Sequence, residues 1–350
     1  MGVCCLQLPL PLFVVMHAGS KRAFITGASG FLGAHLVYAL LEKNYTVTAL
    51  VRSKTNLTAF FTLSKLYPAA NVANIEWIEG DLLLPEGWLE CIGAVDVVFH
   101  AAAVVSFLPK DKNTMMETNV LGTANVVNAC LKYNHKPIVY VSSVAALGRS
   151  EDTSEVNEHS VWGDSDHNTH YAVSKHLAER EVWRGIEEGL PAAVVCPGII
   201  IGPWSINKGS GQIPALVKKQ MPFYPVGENG FTGVRDVTKM LILLYEKNCY
   251  GNRFLCIAKN TTYRYVLSCF ADGFLVPPPK IPLKGILLRV LLFLARLSEK
   301  LTLPFPFPSE GLRSTSLSTR YTSINAHLLP DMTYLPLEKT IQETADTYNK

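Results

Sequence analysis

Short apolar runs alternate with stretches of helical spacing from Arg22 to Cys196, and this alternation restricts the fold more than any other feature of the chain. Arg22-Ala23-Phe24-Ile25-Thr26 reads as a buried strand, followed by strand-like segments at 46–51, 74–79, 95–100, 138–142 and 192–196. None shows strict polar alternation, so each strand expects cover on both faces, the mark of a parallel sheet. Between them, Leu36, Val37, Leu40 and Leu41 repeat at helical spacing, and residues 119–131 and 171–188 read as further helices. The pattern predicts an α/β class, a doubly wound parallel sheet over residues 21–200. Residues 201–350 read as a smaller mixed region that shapes a substrate site, with some segments returning to the core. No internal repeat is present.

A chain of 350 residues can bury one large core. Its net charge of +3 and the lack of a basic block give nucleic acid no footprint. The eight cysteines are scattered without a Cys-x-x-Cys pair, so neither a zinc knuckle nor a redox couple is indicated; they fit free thiols of a reducing cytoplasm. No metal is expected. Residues 1–16 are uncharged and apolar, without the basic start and small-residue cleavage site of a signal peptide, and too short to span a bilayer. Met1-Gly2 opens a myristoylation motif that Leu6 breaks, which leaves acylation only to Cys4 and Cys5. Residues 1–20 read as a disordered extension, or as an artefact of start-codon choice with Met16 the true start.

The first strand runs into Gly27-Ala28-Ser29-Gly30-Phe31-Leu32-Gly33, and a helix follows. A tight turn needs a residue without Cβ, a pyrophosphate needs close backbone approach, and a helix N-terminus offers unpaired N–H groups with a positive dipole end. At the first strand-to-helix junction of an alternating chain, these glycines favour a dinucleotide site over a plain turn. The second strand ends in Leu50-Val51-Arg52-Ser53-Lys54, with no acid for a ribose diol. Arg52, helped by Ser53 or Lys54, can meet a 2′-phosphate, which favours NADP(H) and leaves NAD(H) open.

Tyr171 and Lys175 stand four residues apart on a predicted helix and share a face. An ammonium beside a phenol should lower the phenol's pKa from about 10, giving a group that can exchange a proton with an alcohol or ketone.

Together, Thr26-Gly27-Ala28-Ser29-Gly30-Phe31-Leu32-Gly33, Gly80-Asp81-Leu82, His100-Ala101-Ala102-Ala103, Asn119-Val120-Leu121-Gly122-Thr123, Ser142-Ser143, Tyr171-x-x-x-Lys175 and Cys196-Pro197-Gly198 resemble the extended short-chain dehydrogenase/reductase family, in the family's order. Val234-Arg235-Asp236-Val237 extends the likeness into the C-terminal region. Ser142 to Gly148 and the basic strand end look most like the dihydroflavonol-reductase and 3β-hydroxysteroid-dehydrogenase-like branch. The resemblance implies a Rossmann fold and roles at matching positions. Tyr171 would be the acid/base, Lys175 would lower its pKa and hold the nicotinamide ribose, and Ser143, rather than Ser142, would hydrogen-bond the substrate carbonyl. Asn119 would anchor a proton-relay water. Ser29 would join the glycine turn, Asp81 and Leu82 would face the adenine, Ala101, Ala102 and Ala103 would line the cofactor, and Pro197 with Gly198 would lie near the nicotinamide. Each position has a plainer use: Asn119 as a helix N-cap, Ser142 and Ser143 as strand-end serines, His100 as a packed histidine, and Trp162, Trp183 and Trp204 as core.

The functional expectation is an NADP-dependent oxidoreductase moving hydride to or from a bulky, apolar or cyclic ketone or alcohol. Apolar Val104, Val105, Phe107, Ile199, Ile200, Ile201 and Trp204 near the expected site point to a greasy small-molecule substrate. A sugar-nucleotide epimerase is the alternative. Dehydratases of the family usually carry Asp-Glu where Val144-Ala145 stands. A non-catalytic dinucleotide sensor is a third reading, which the intact tyrosine–lysine pair disfavours. Residues 281–303 are strongly apolar, with Lys284, Arg289, Arg296 and Lys300 spaced through them. Such a helix can lie on a membrane, but its wide apolar arc fits packing against the domain or capping a greasy pocket equally well. By family analogy a homodimer forms through the helix bearing Tyr171.

Overall fold

A computed structural model describes residues 20–54, 57–148, 155–163, 165–204, 211–303 and 305–349; the extension expected over residues 1–20 lies, but for Ser20, outside them. Seven parallel strands form the central sheet: β1 (Arg22–Thr26), β2 (Thr46–Val51), β3 (Ile75–Glu79), β4 (Val97–His100), β5 (Ile138–Val141), β6 (Ala192–Pro197) and β7 (Arg253–Cys256). Their spatial order is β7-β6-β5-β4-β1-β2-β3. The order reverses between β1 and β4, and ligands of open α/β sheets bind in the crevice beyond the strand ends at such a point.

Successive residues of the inner strands feed two cores. Ala23, Ile25, Val97, Phe99, Val139, Ala193 and Val195 point to one face, where they pack with α1 (Phe31–Glu42) and α4 (Val234–Glu246). Phe24, Val98, Ile138, Tyr140, Val194 and Cys196 point to the other, against α2 (Gly122–Lys132) and α3 (His170–Glu187). This two-sided burial explains the absence of polar alternation in the sequence. β7 and α4 come from beyond residue 200, so the later half of the chain completes the central layer as well as building its own. That second part is a three-stranded sheet of residues 199–201, 228–233 and 259–262, covered by α5 (Tyr263–Phe274) and α7 (Leu337–Asn349). Beside it, α6 (Gly285–Lys300) packs on the short helix Ser309–Ser316 around Leu283, Ala295 and Leu312.

The helix expected at 119–131 begins earlier. A helical turn at Lys112–Met115 passes through a π turn at Met116–Leu121 before becoming α2, so Asn119 sits inside a continuous helical run and is not an N-cap. π turns often mark functional positions.

The glycine junction is built at backbone contact distance. Gly27 holds φ +72°, and a Cβ there would lie 2.7 Å from the Ala102 Cα; a Cβ on Gly33 would lie 2.1 Å from the Gly27 carbonyl oxygen. Gly33→Ala should therefore force α1 away from β1 and lower unfolding free energy by about 1–3 kcal/mol, the range for overpacked cores, as read by urea denaturation. Unchanged stability would show that the helix yields freely at this point.

Candidate active site

Helix α3 carries the reactive pair into the sheet. Thr169 caps it, its Oγ1 accepting from the Ala172 N–H at 3.1 Å, and this fixes the first turn where Tyr171 stands. Ala178 and Val182 anchor the helix in the core, which turns Lys175 and Glu179 inward as well. Lys175 is 1% exposed, a costly place for an ammonium. Its Nζ donates to the Tyr140 hydroxyl at 2.6 Å and to the Val141 carbonyl at 2.8 Å, and lies 4.4 Å from the centre of the Tyr140 ring.

These contacts reverse one expectation. Burial is the dominant influence on both members of the pair: it pushes the Tyr171 phenol up to about 12, against a hydrogen bond from Ser143 that pulls it down, while Lys175 falls to about 8, held from falling further by Glu179. The ammonium is directed at Tyr140, so the expected lowering of the Tyr171 pKa by Lys175 is absent from the arrangement seen here.

Ser143 and Ser142 separate cleanly. The Ser142 hydroxyl donates to Glu179 Oε2 at 2.5 Å and is committed there. Ser143 caps the following turn, its Oγ accepting from the Ala145 N–H at 3.1 Å, which leaves its proton to be donated elsewhere. Glu179, 2% exposed, also receives Arg253 Nε at 2.7 Å and Trp183 Nε1 at 3.0 Å. A largely buried ion pair thus joins α3 to β7 at the sheet edge. Glu179 lies one turn beyond Lys175 on the same face, a signal present in the sequence but not recognised there; nothing in the sequence announced Arg253 as its partner.

Asn119 is 1% exposed and makes three hydrogen bonds through its amide. Oδ1 accepts from the Val104 N–H at 2.7 Å, while Nδ2 donates to the Val104 carbonyl at 3.0 Å and to Ser174 Oγ at 2.9 Å. The side chain clamps the loop after β4 to α3, with both Nδ2 protons donated and one lone pair of Oδ1 still open.

A second buried chain joins the two loops at the switch point. Thr123 donates its single hydroxyl proton to the Asn119 carbonyl at 2.6 Å, so toward His100 Nε2, at 2.9 Å, it can only accept. Nε2 then carries the ring proton, and Nδ1 accepts from the Thr26 hydroxyl at 2.6 Å. Thr26 Oγ1 in turn accepts from the Ala102 N–H at 3.2 Å. Burial lowers the His100 pKa to about 3, so the imidazole stays neutral and structural, as the plainer reading of His100 expected.

The residues expected to hold a dinucleotide differ in how open they are. Gly30 is the N-cap of α1 and brings no side chain to the first turn, which also holds no acid. Ser29 and Phe31 are half-buried at this junction, whereas Leu32 packs into the core. Ala101 and Ala102 follow β4 directly, and Ala103 is exposed beside them. Asp81 is exposed, its Oδ1 accepting from the Leu83 N–H at 2.9 Å, while Leu82 is buried and its carbonyl accepts from Asn125 at 2.8 Å. Pro197 ends β6, and a Cβ at Gly198 would lie 2.2 Å from the Gly230 carbonyl oxygen. Arg52 and Lys54 are exposed at the end of β2. The β2–β3 register places Glu79 opposite Val51, and its Oε2 accepts from the Lys54 N–H at 3.2 Å. The basic strand end therefore has a carboxylate next to it that reading β2 alone overlooked.

Of the apolar residues expected around the substrate, Phe107 meets Tyr171 edge-on, with ring centres 6.3 Å apart. Trp204 packs on Phe31 at 6.1 Å. Ile201 does not face the site: it is 2% exposed and belongs to the core under α5 and α7. The helix Ser309–Ser316 lies over this mouth, since a Cβ on Gly311 would be 3.8 Å from the Phe107 ring, and Glu310 binds His170, with Oε1 2.5 Å from its Nδ1 and Oε2 accepting its backbone N–H at 3.2 Å.

The doubly wound sheet and its glycine junction define a dinucleotide-binding α/β protein. A family model described as Male sterility protein, an NAD-binding family, matches residues 25–250. The chain is 31% identical to cinnamoyl-CoA reductase 1 of Petunia hybrida over 267 residues, 72% of this chain and 78% of that one. It is 30% identical to dihydroflavonol 4-reductase of Arabidopsis thaliana over 261 residues, covering 71% and 68%. The fold matches UDP-glucuronic acid 4-epimerase from Bacillus cereus, solved with NAD, at a TM-score of 0.72 and 18% identity, covering 93% and 96%. The chain belongs to the extended short-chain dehydrogenase/reductase family, whose members are NAD(P)-dependent reductases, epimerases and dehydratases.

Lys175 makes a stability prediction with a defined sign. Its folded pKa of about 8 lies below the ordinary 10.5, so below pH 8 both states hold the proton and the cost of burying charge is carried in full. Between pH 8 and 10.5 the folded state sheds the proton first and stability rises with pH. Tyr171 acts oppositely only above pH 10, where the unfolded phenol ionises first. Lys175→Met should be more stable than the wild type near neutral pH and should lose the rise, on the order of 3 kcal/mol across the window. Urea titrations at about pH 7.5 and about pH 9.5 check this; the same rise in both proteins would remove Lys175 as its source.

Proposed function

We propose that this chain is an NADP(H)-dependent oxidoreductase that interconverts a bulky, apolar or cyclic ketone and its alcohol, acting on CH–OH groups. The observation that carries the proposal is the buried Tyr171 phenol with the Ser143 hydroxyl hydrogen-bonded to it and the Phe107 ring edge-on, one helical turn from the buried Lys175. The glycine cradle and the uncapped start of α1 would hold the pyrophosphate, and Arg52 the 2′-phosphate. When bound, the nicotinamide supplies or accepts the hydride.

The protein's own part is to hold the carbonyl and move one proton. Ser143 donates to the substrate oxygen and polarises the C=O bond. Tyr171, protonated at neutral pH, gives its proton to the same oxygen as negative charge develops there. Lys175, with its pKa lowered to about 8, holds a positive charge near the phenolate left behind. Residues 201–350 close the substrate side, with Ser309–Ser316 over the mouth. The described cysteines are all free, which accords with work in a reducing cytoplasm.

Tyr171→Phe should lower reduction of a cyclic apolar ketone by about a thousandfold, in the range for removing a general acid, while NADPH still quenches or shifts protein fluorescence on binding. Undiminished turnover would reject Tyr171 as the proton donor. Arg52→Ala should raise KM for NADPH by about tenfold, one lost charged hydrogen bond, and leave that for NADH nearly unchanged; equal effects on both would assign the selection to Glu79 or elsewhere. Interconversion of sugar-nucleotide isomers with no net cofactor consumption would establish the epimerase reading instead.

A further inference from the structure

Helix α6 has two apolar faces, and only one is used. Leu287, Leu288, Leu291, Leu292 and Ala295 pack inward around Leu283 and Leu312. The opposite side shows Ile286 at 75%, Val290 at 46%, Phe293 at 65% and Leu297 at 42% exposure, recurring at the spacing of one helix face. Leu301 and Leu303 prolong it at 53% and 57%. Isolated surface apolar residues are ordinary, whereas a contiguous stripe on one helix marks an interaction site.

Charge identifies the occupant. Arg289, Arg296 and Lys300 run along one border of the stripe and Lys284 precedes it, all exposed. The one acid of the helix, Glu299, is turned away to Ser309, accepting from its N–H at 2.7 Å and its hydroxyl at 2.8 Å. A stripe with a cationic border complements an apolar layer beneath negative charge, as at the surface of an anionic bilayer, and Arg296 at the inner edge of that border also lines a cleft with Asp166 and Glu310. A second copy of the helix would set its own cations against those of the border. No helix among the described residues is long and apolar enough to cross a membrane, so the contact is interfacial.

We infer that α6 docks this protein on an anionic lipid surface, with Ile286, Val290, Phe293 and Leu297 entering the headgroup boundary and Arg289, Arg296 and Lys300 facing lipid phosphates. The inner face of α6 carries the helix Ser309–Ser316, which lies against Phe107 and binds His170, the neighbour of Tyr171. Docking therefore sets the site's mouth close to the bilayer, where, on the function proposed above, an apolar substrate partitions. The docking itself does not rest on that function.

The test is co-sedimentation of the full chain with vesicles of phosphatidylcholine alone and of phosphatidylcholine mixed with phosphatidylserine. The wild type should pellet with the mixed vesicles, and raised salt should weaken the binding. Ile286→Glu with Phe293→Glu, and separately Arg289→Glu with Lys300→Glu, should each reduce binding at least about tenfold without changing the thermal melt. Failure of the wild type to pellet, or undiminished binding by the charge-reversed protein, would overturn the inference. So would a wild-type dimer in analytical ultracentrifugation that Ile286→Glu with Phe293→Glu converts to monomer, because a second copy would then own the face. NADPH turnover is measured separately, so an inactive protein that still pellets tells against the enzyme reading alone.

Discussion

A buried ammonium organises this site. Lys175 is almost wholly removed from water, and the protein compensates with the Tyr140 hydroxyl, the Val141 carbonyl, the face of the Tyr140 ring and the charge of Glu179 one turn on. Glu179 is itself buried and tolerable only because Arg253, Ser142 and Trp183 donate to it. Two polar groups, joined by the attraction between Lys175 and Glu179, therefore run from the first turns of α3 to the outer strand β7. Each of them fixes α3 against the sheet from a different strand.

The same logic holds at the other side of the crevice. Thr26, His100, Thr123 and Asn119 form a directed hydrogen-bond chain whose tautomer is fixed by its donors. It ties the end of β1, where the glycine turn begins, to the π turn that clamps the loop after β4. The cofactor cradle and the Tyr171 helix are thus positioned by two buried polar networks in an otherwise apolar parallel sheet. Buried groups of this kind are costly unless satisfied, and here their partners come from the loops and helices that must converge.

Much of this was legible in the sequence. Two-faced strands such as Ala23-Phe24-Ile25 announce a parallel sheet because helices cover both sides, and the glycine turn follows from backbone contacts that no Cβ permits. The resemblance favours Ser143 over Ser142, and the bond from Ser142 to Glu179 is a contact distant in sequence that accords with this. Other features depend on contacts distant in sequence. The partner of Lys175 is Tyr140, 35 positions earlier, and Glu79 reaches the end of β2 only through strand register. The plainer reading of Asn119 as a cap rests on the preference of Asn for that position, whereas the residue lies in a π turn and bonds to Val104, fifteen positions earlier. Ile201 reads as a pocket residue but is taken by the core of the later half. The expected lowering of the Tyr171 pKa considered the ammonium's spacing on the helix and could not include how deeply both groups are buried.

The central claim is that Tyr171 and its neighbours serve net hydride transfer to a carbonyl carbon. Incubation with NADPH deuterated at the transferred position and a panel of apolar cyclic ketones addresses it directly. The account predicts one deuterium on the new carbinol carbon for each NADP+ formed, a yield that collapses in Tyr171→Phe although the cofactor still binds. A product that carries no deuterium, or turnover that survives unchanged in Tyr171→Phe, would contradict it.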